Sequence, residues 1–306
     1  MTKLLSIGLT GFIGTNFLRS YVNNFEKIHI LTRHSRPQVL APNIDASTLD
    51  EVASINDEFD WGLYMAHDHT DLYANIDLFR SFLQVCERLS VKRLIVLSSF
   101  VVYDFLHEER ISINSSYIKI GEPYIQVKQK LEFIAERYSL EKDAQVYVLQ
   151  PAVVLGEGGA WDRLIRSLSE CHKIGLYGNG SYRCNWVHVE QVSEKIIDII
   201  ISQSASTDTD KFKKYIVSNG STDETWKDLL VVGGELEKIE SPNNRRYHNN
   251  MMMNLALIII FAIPSLRIKS YILKKVRAKG SNSKFPSIWF PIGLTRIVMS
   301  RNYSLN

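Results

Sequence analysis

A doubly wound parallel α/β sheet is the architecture this sequence predicts, and three observations predict it. Short apolar runs alternate with helix-period segments through the first half of the chain. Three glycines, Gly8, Gly11 and Gly14, fall at three-residue intervals between the first apolar run and the first helical segment. After Pro151 the alternation weakens and glycines cluster in "GEGGAW" and "GLYGNGSY", which predicts a smaller, interleaved C-terminal substrate lobe. The expected division is 1–150 and 151–306, with segments around 185–217 returning to the first unit.

The elements follow in order. "KLLSIG" is a short strand, the glycines a tight turn, and "FIGTNFLRSYVNNF" a helix. "KIHILTR" is a buried strand centred on Ile28, Ile30 and Leu31. "LAPNIDAS" makes a poorer strand, because Pro42 removes a ladder donor. "DWGLYMAH" is the fourth strand, expected to end at His67. A helix is expected from about Asp71 to Leu89, since Leu72, Ile76, Phe79, Leu83, Cys86 and Leu89 step by three and four. "VKRLIVLSS" carries a continuous apolar run from Leu94 to Leu97, as a strand covered on both faces requires. After a polar loop, Pro123 opens a helix whose buried stripe is Val127, Leu131, Ile134 and Tyr138. "QVYVLQP" is a further strand.

The chain's 306 residues suffice for one large α/β domain, or for a nucleotide-binding domain with a smaller lobe. With 45% hydrophobic and 23% charged residues, the composition is that of a soluble globular protein. A net charge of +3 gives no ground for a nucleic-acid partner. Cys86, Cys171 and Cys184 lie far apart and form no C-x-x-C pair, so neither a metal site nor a disulfide framework is indicated. A reducing, cytoplasmic setting is expected. The opening "MTKLLSIGLTGFIG" is interrupted by glycines and lacks a small-residue cleavage site, so it reads as strand and turn rather than as a secretory signal.

Context decides what the glycines are for. They follow a strand and open a helix within a strand–helix–strand unit, the setting of a phosphate-binding loop in a Rossmann-type sheet. Glycine lets backbone approach a pyrophosphate, which the helix N-terminus favours electrostatically. A turn with no ligand is the alternative reading. "YIQVK" places Tyr124 and Lys128 four apart, on one helix face. A phenol ionises near ~10, and an ammonium one turn away favours the phenolate and lowers that value. The lysine can also bond a ribose, although such pairs are common on solvated helices. In "LSSFVVYD", Ser98 and Ser99 fall at the carboxyl end of a buried strand, where open α/β sheets bind ligands. A serine there serves a substrate hydroxyl or carbonyl, or its own backbone.

Together these features resemble the extended short-chain dehydrogenase/reductase family, the NAD-dependent epimerase/dehydratase group. The resemblance runs from residue 3 to about residue 220, through "GLTGFIG", "DWGLYMAH", Asn75, "VKRLIVLSSFVVYD", "YIQVK", "LQPAVVLG" and "NWVHVEQV". The spacing of 25 from Ser99 to Tyr124 also fits. The resemblance implies a catalytic triad of Ser99, Tyr124 and Lys128. It implies that Gly8, Gly11 and Gly14, with Phe12 and Ile13 between them, hold a pyrophosphate. It further implies that Asp45 contacts the adenine amine. Ala66, Ser98 and Lys128 would line the cofactor, and Pro151, Ala152 and Val153 would border the nicotinamide. A homodimer through helices at 71–89 and 124–138 is a further implication. The chain departs from the family's pattern in having Gln150 for Arg before Pro151, and Asp104 for Gly after Tyr103. Cys184 stands where many nucleotide-sugar enzymes have Arg, with Arg183 one position earlier.

Which reaction is expected depends on other positions. Phe100 and Val101 follow Ser99, where 4,6-dehydratases of the family carry an acidic pair; neither can move a proton, which argues against dehydration. The second strand ends in "LTRHSR". Arg33 and Arg36 can pair a ribose 2′-phosphate, and no carboxylate lies between Leu31 and Arg36, so NADP is expected ahead of NAD. The expected activity is NADPH-dependent reduction of a keto group on a nucleotide-activated sugar. The alternatives are an NAD-dependent nucleotide-sugar epimerase, a reductase of a non-sugar carbonyl compound, and a dinucleotide-sensing protein. Met251 to Ile263 is apolar apart from Asn254, and Arg267, Lys269, Lys274, Lys275, Arg277 and Lys279 follow. Thirteen residues are too few to span a bilayer, which needs about 20. The segment 251–279 therefore reads as a buried helix followed by a solvated basic one, with peripheral contact to an anionic membrane as the alternative.

Overall fold

The apolar run at the chain start forms β1 (Thr2–Ile7), the glycines turn it, and α1 (Phe12–Tyr21) leads back to β2 (Phe25–Thr32). The structure is a computed structural model that describes residues 2–33, 41–68, 71–163, 181–204, 210–220, 223–226, 228, 262–280 and 303–305. β3 (Ile44–Thr48) starts only after Pro42, and β4 (Trp61–Tyr64), α2 (Ala74–Arg88) and β5 (Arg93–Leu97) follow. β6 (Arg110–Ile111) is short, α3 (Pro123–Lys142) is long, and β7 (Gln145–Pro151) ends the first half. The second half contributes β8 (Val153–Leu155), β9 (Trp186–His188), α4 (Val189–Ser204) and β10 (Phe212–Val217). α5 (Leu266–Gly280) and β11 (Ser304–Leu305) come last.

Seven strands form one sheet in the order β10-β7-β5-β4-β1-β2-β3, and every pairing is parallel. Successive strand residues enter opposite cores, because side chains alternate across a sheet. Ile95, Leu97, Tyr147 and Leu149 join the core that holds Phe17 of α1 and Ile196 of α4. Leu94, Val96, Val146 and Val148 join the core of α2 and α3, with Phe79, Phe82 and Leu131. Helices thus cover both faces, as a parallel sheet needs. The strand order reverses between β1 and β4, which opens a crevice at their carboxyl ends.

Two boundaries differ from the sequence expectation, and both border that crevice. β4 stops at Tyr64, not His67. Met65 still donates to the Ile7 carbonyl at 2.9 Å, but the chain then passes against Gly8, where a Cβ would lie 2.4 Å from the Ala66 nitrogen. α2 starts at Ala74, three residues late. The preceding loop is held instead by buried Asn75, whose side chain accepts from the Asp68 N–H at 2.6 Å and donates to the carbonyls of Asp68 and Leu72.

β10 lies beside β7, and α4 packs on α1, where Ser193 donates to Asn16 at 2.8 Å. α5 docks on the N-terminal ends of α2 and α3. Lys269 is buried there and donates to the Gly121 carbonyl at 3.0 Å and to Gln126 at 2.9 Å; Ser270 accepts from the Tyr73 N–H. The apolar run 251–261 lies outside the described residues, as do Arg36 and Cys171. Among the described residues, no helix is long and apolar enough to cross a membrane.

Candidate active site

The crevice widens into a cleft of about 620 Å³ at the carboxyl ends of β1, β2, β4, β5 and β7. Its floor is the glycine loop. Gly8 has φ +100, and the Gly11 N–H closes the turn onto the Gly8 carbonyl at 3.0 Å. At Gly14 a Cβ would lie 2.3 Å from Leu9 Cα, so only glycine lets α1 approach the turn this closely. At Gly11 a Cβ would meet only the Gly8 carbonyl, at 3.2 Å, and the loop's other side is open. Gly11 caps α1 without a side-chain bond, which leaves the first N–H groups of the helix facing the cleft. This cradle fits a dinucleotide pyrophosphate.

Gly8, Gly11, Phe12, Ile13, Gly14, Arg33, Ala66, Ser98, Ser99, Tyr124, Lys128, Pro151, Ala152 and Val153 all line this one cleft. Asp45 does not. It sits second in β3, opposite His29 in the middle of β2, and pairs with Lys27 at 2.7 Å. The carboxyl end of β3 is three residues further on, so the adenine contact expected of Asp45 has no support in this geometry. Arg33 does reach the cleft, yet a carboxylate meets it: Asp68, in the loop after β4, accepts from Nη1 at 2.7 Å. The sequence premise of an unopposed cation at the end of β2 therefore fails in space.

α3 presents the Tyr–Lys pair because Glu122 and Pro123 start the helix there, the Glu122 carboxylate accepting from the Ile125 N–H at 2.8 Å. The Tyr124 ring stands edge-on to His67, with centroids 5.0 Å apart. Ser99 beside its hydroxyl acts to lower its pKa, but burial dominates and pushes it up to about 12. The lysine was expected to pull that value below 10. In the structure the Lys128 Nζ donates instead to the Leu97 carbonyl at 3.0 Å, and lies 5.7 Å from the tyrosine ring centroid. Burial brings Lys128 down to about 8, with Glu132 acting against it.

Glu132 is the functional neighbour the sequence reading missed. It is 1% exposed, one turn beyond Lys128. Ser98 and Tyr117 donate to it, and Gln150 donates to both carboxylate oxygens at 2.9 and 3.0 Å. Tyr103 in turn donates to Gln150 at 2.8 Å, and the Lys214 ammonium lies over the rings of Tyr103 and Tyr117. Burial raises the Glu132 carboxyl's pKa, while its donors pull it down. The network joins three segments that border the cleft: the Ser98–Ser99 turn, α3, and the end of β7. Gln150, which stands where the family's pattern has arginine, donates its amide to this carboxylate. The signal was present as Lys-x-x-x-Glu, but a glutamate in "KLEFI" reads as a solvated helix residue.

Phe100 and Val101 are buried at 2% and 3% exposure and are part of the core. Cys184 is buried as well, its thiol pushed up by burial, and the Arg183 guanidinium lies 4.0 Å from Asp223. Trp161 and Arg163, from the segment after β8, close the far wall of the cleft.

Comparison with known proteins agrees with this architecture. The model of the NAD dependent epimerase/dehydratase family matches residues 4–210. No curated protein matches the chain in sequence. Among solved structures, UDP-N-acetylglucosamine 4-epimerase from Bacillus cereus is 16% identical, with a TM-score of 0.60 over 75% of this chain and 80% of that one. DesIV, a dTDP-glucose 4,6-dehydratase from Streptomyces venezuelae with NAD and TYD bound, is 17% identical, with a TM-score of 0.62 over 76% and 80%. MoeE5 in complex with UDP-glucuronic acid and NAD is 20% identical, with a TM-score of 0.61 over 77% and 82%. At these identities the likeness is one of fold.

Proposed function

Because the chain belongs to the NAD dependent epimerase/dehydratase family, we propose that it reduces a keto group on a nucleotide-activated sugar. The observation that carries this reading is Tyr124 in the glycine-loop cleft, beside Ser99. With a pKa pushed up to about 12, roughly one phenol in 10⁵ is ionised at neutral pH, so the side chain is poised as a proton donor. Gly8, Gly11 and Gly14, with Pro151 and Val153, would hold a nicotinamide dinucleotide, which would supply the hydride. Ser99 and Tyr124 hydrogen-bond the substrate's carbonyl oxygen, and Tyr124 passes its proton to that oxygen. Lys128 keeps a positive charge beside the tyrosine as that proton leaves. Glu132 holds Ser98, and through it the Ser99 turn, in place. The buried Phe100 and Val101 offer no acid–base pair, which speaks against dehydration. The sugar nucleotide is inferred from what the solved relatives hold, UDP-glucuronic acid in one of them.

A second reading is an epimerase that recycles tightly held NAD. Arg33–Asp68 favours it, because a neutralised Arg33 weakens the case for exchangeable NADPH. One experiment separates the two. The purified protein is given a nucleotide-linked keto-sugar with NADPH or NADH, and the reduced nicotinamide is followed by absorbance. Consumption matched by product, lost by at least about 10²-fold in Tyr124→Phe, is the expected result. An epimeric sugar formed from the corresponding alcohol with no net consumption establishes the second reading. Near-normal turnover in Tyr124→Phe would remove the tyrosine from either mechanism.

A further inference from the structure

We propose that Asp68 sets which dinucleotide the cleft accepts, by holding the Arg33 guanidinium so that a ribose 2′-phosphate gains no advantage. The inference rests on reading the cleft as a dinucleotide site, and it goes beyond that reading by naming the residue that discriminates.

Arg33 follows Thr32, the last residue of β2, and the strand beside it is β1, whose turn cradles the pyrophosphate. The adenosine ribose, one unit away from the pyrophosphate, therefore falls at the end of β2, where an acidic group selects the free 2′-hydroxyl and an arginine selects its phosphate. Here both kinds of group are present, and they come from different strands. Asp68 arrives from the loop after β4, 35 residues along the chain from Arg33.

The pair is fixed rather than incidental. Most exposed ion pairs are loose, because two long side chains must be ordered to make them. Asp68 has no such freedom. Its N–H donates to Asn75 at 2.6 Å, its carbonyl accepts from the same side chain at 3.0 Å, and Asn75 is fully buried. One carboxylate oxygen accepts from the Asp71 N–H at 3.0 Å, and the other takes Arg33 at 2.7 Å. The carboxylate is 16% exposed and the guanidinium 36%, so the arginine keeps one side open to the cleft while its charge is already met. A 2′-phosphate entering here must share Arg33 with a carboxylate that cannot swing away. A 2′-hydroxyl meets no such repulsion.

The test uses the full-length protein and needs no sugar substrate. NADH and NADPH are titrated separately into wild type, Asp68→Asn and Arg33→Ala, with calorimetry as the readout. Wild type should hold the two dinucleotides within about threefold of each other, since a matched ion pair adds little net field. Asp68→Asn keeps the oxygen that accepts from Asp71, and removes the charge together with the oxygen that accepts from Arg33. It should tighten NADPH about tenfold, or about 1.4 kcal/mol, and change NADH by less than about twofold. Arg33→Ala leaves Asp68 facing the phosphate, and should weaken NADPH about tenfold relative to NADH. The two variants move the ratio in opposite directions, so either one decides the matter if the other fails to fold. A ratio unchanged by the substitution overturns the role of Asp68 while leaving the cofactor reading intact. Failure of wild type to bind either dinucleotide overturns both.

Discussion

Lys128 is only 4% exposed, and its ammonium donates to a neutral carbonyl, that of Leu97. Burial holds its pKa at about 8, against 10.5 for a free lysine. Between those two values the unfolded chain binds a proton that the folded chain has released. Stability therefore rises with pH across this window, by at most about 1.4 kcal/mol per pH unit, and the penalty of the charge is fully present below about pH 8. Lys128→Met removes this pH dependence, while the other titrating groups are shared. Urea unfolding at about pH 8 and about pH 10 should show wild type gaining on the variant at the higher pH. A constant difference between them would mean that the lysine titrates as it does in water. At this scale the Ser99–Tyr124–Lys128 spacing was legible, because helix and strand periodicities fix where such residues point. Asp68 was not legible, because its partner lies across two strand ends and no local pattern links them.

At the scale of elements, the three glycines have three different jobs, and substitution should separate them. Gly8 needs a positive φ and passes 2.4 Å from the Ala66 nitrogen, counting from where a Cβ would sit; Gly14 admits α1 to Leu9. Alanine at either position forces backbone apart and should cost about 1–3 kcal/mol or more. Gly11 has ordinary angles and room, so Gly11→Ala should cost no more than about 1 kcal/mol while still crowding the face that meets a pyrophosphate. Urea unfolding of the three variants, paired with NADH titration, measures both effects; equal stability losses at all three positions would contradict the assignment. The strands were readable from continuous apolar runs such as Leu94–Leu97. The end of β4 and the start of α2 were not, because "MAH" continues the apolar pattern while its backbone is diverted by Gly8. Asn75, buried and bonded to the loop, delays α2 in a way that periodicity does not register.

Over the whole molecule, the cleft gathers the ends of five strands and the face of α3 from the first half of the chain, with Trp161 and Arg163 from the second. A ligand there binds only the folded state. NAD at about 100 times its dissociation constant should raise the unfolding free energy by about 2.7 kcal/mol, which a thermal melt with and without NAD reads as an upward shift. An unshifted melt would contradict dinucleotide binding at the glycine loop. The parallel sheet was legible because alternation of strand and helix permits few topologies. The course of the chain after Pro151 was less so, since clustered glycines and short strands such as β8 and β9 carry little periodic signal. The return of that later chain has one more consequence. Asn16 on α1 waits for Ser193 on α4, 177 residues away. At about 5–20 residues per second, a ribosome takes about 9–35 s to make that stretch. For that interval Phe17 and Leu18 lack the covering that Val192 and Ile196 later provide in their shared core. The growing chain is thus most prone to stick to its neighbours midway through synthesis, and the pace of translation, more than the stability of the finished fold, governs how long that exposure lasts.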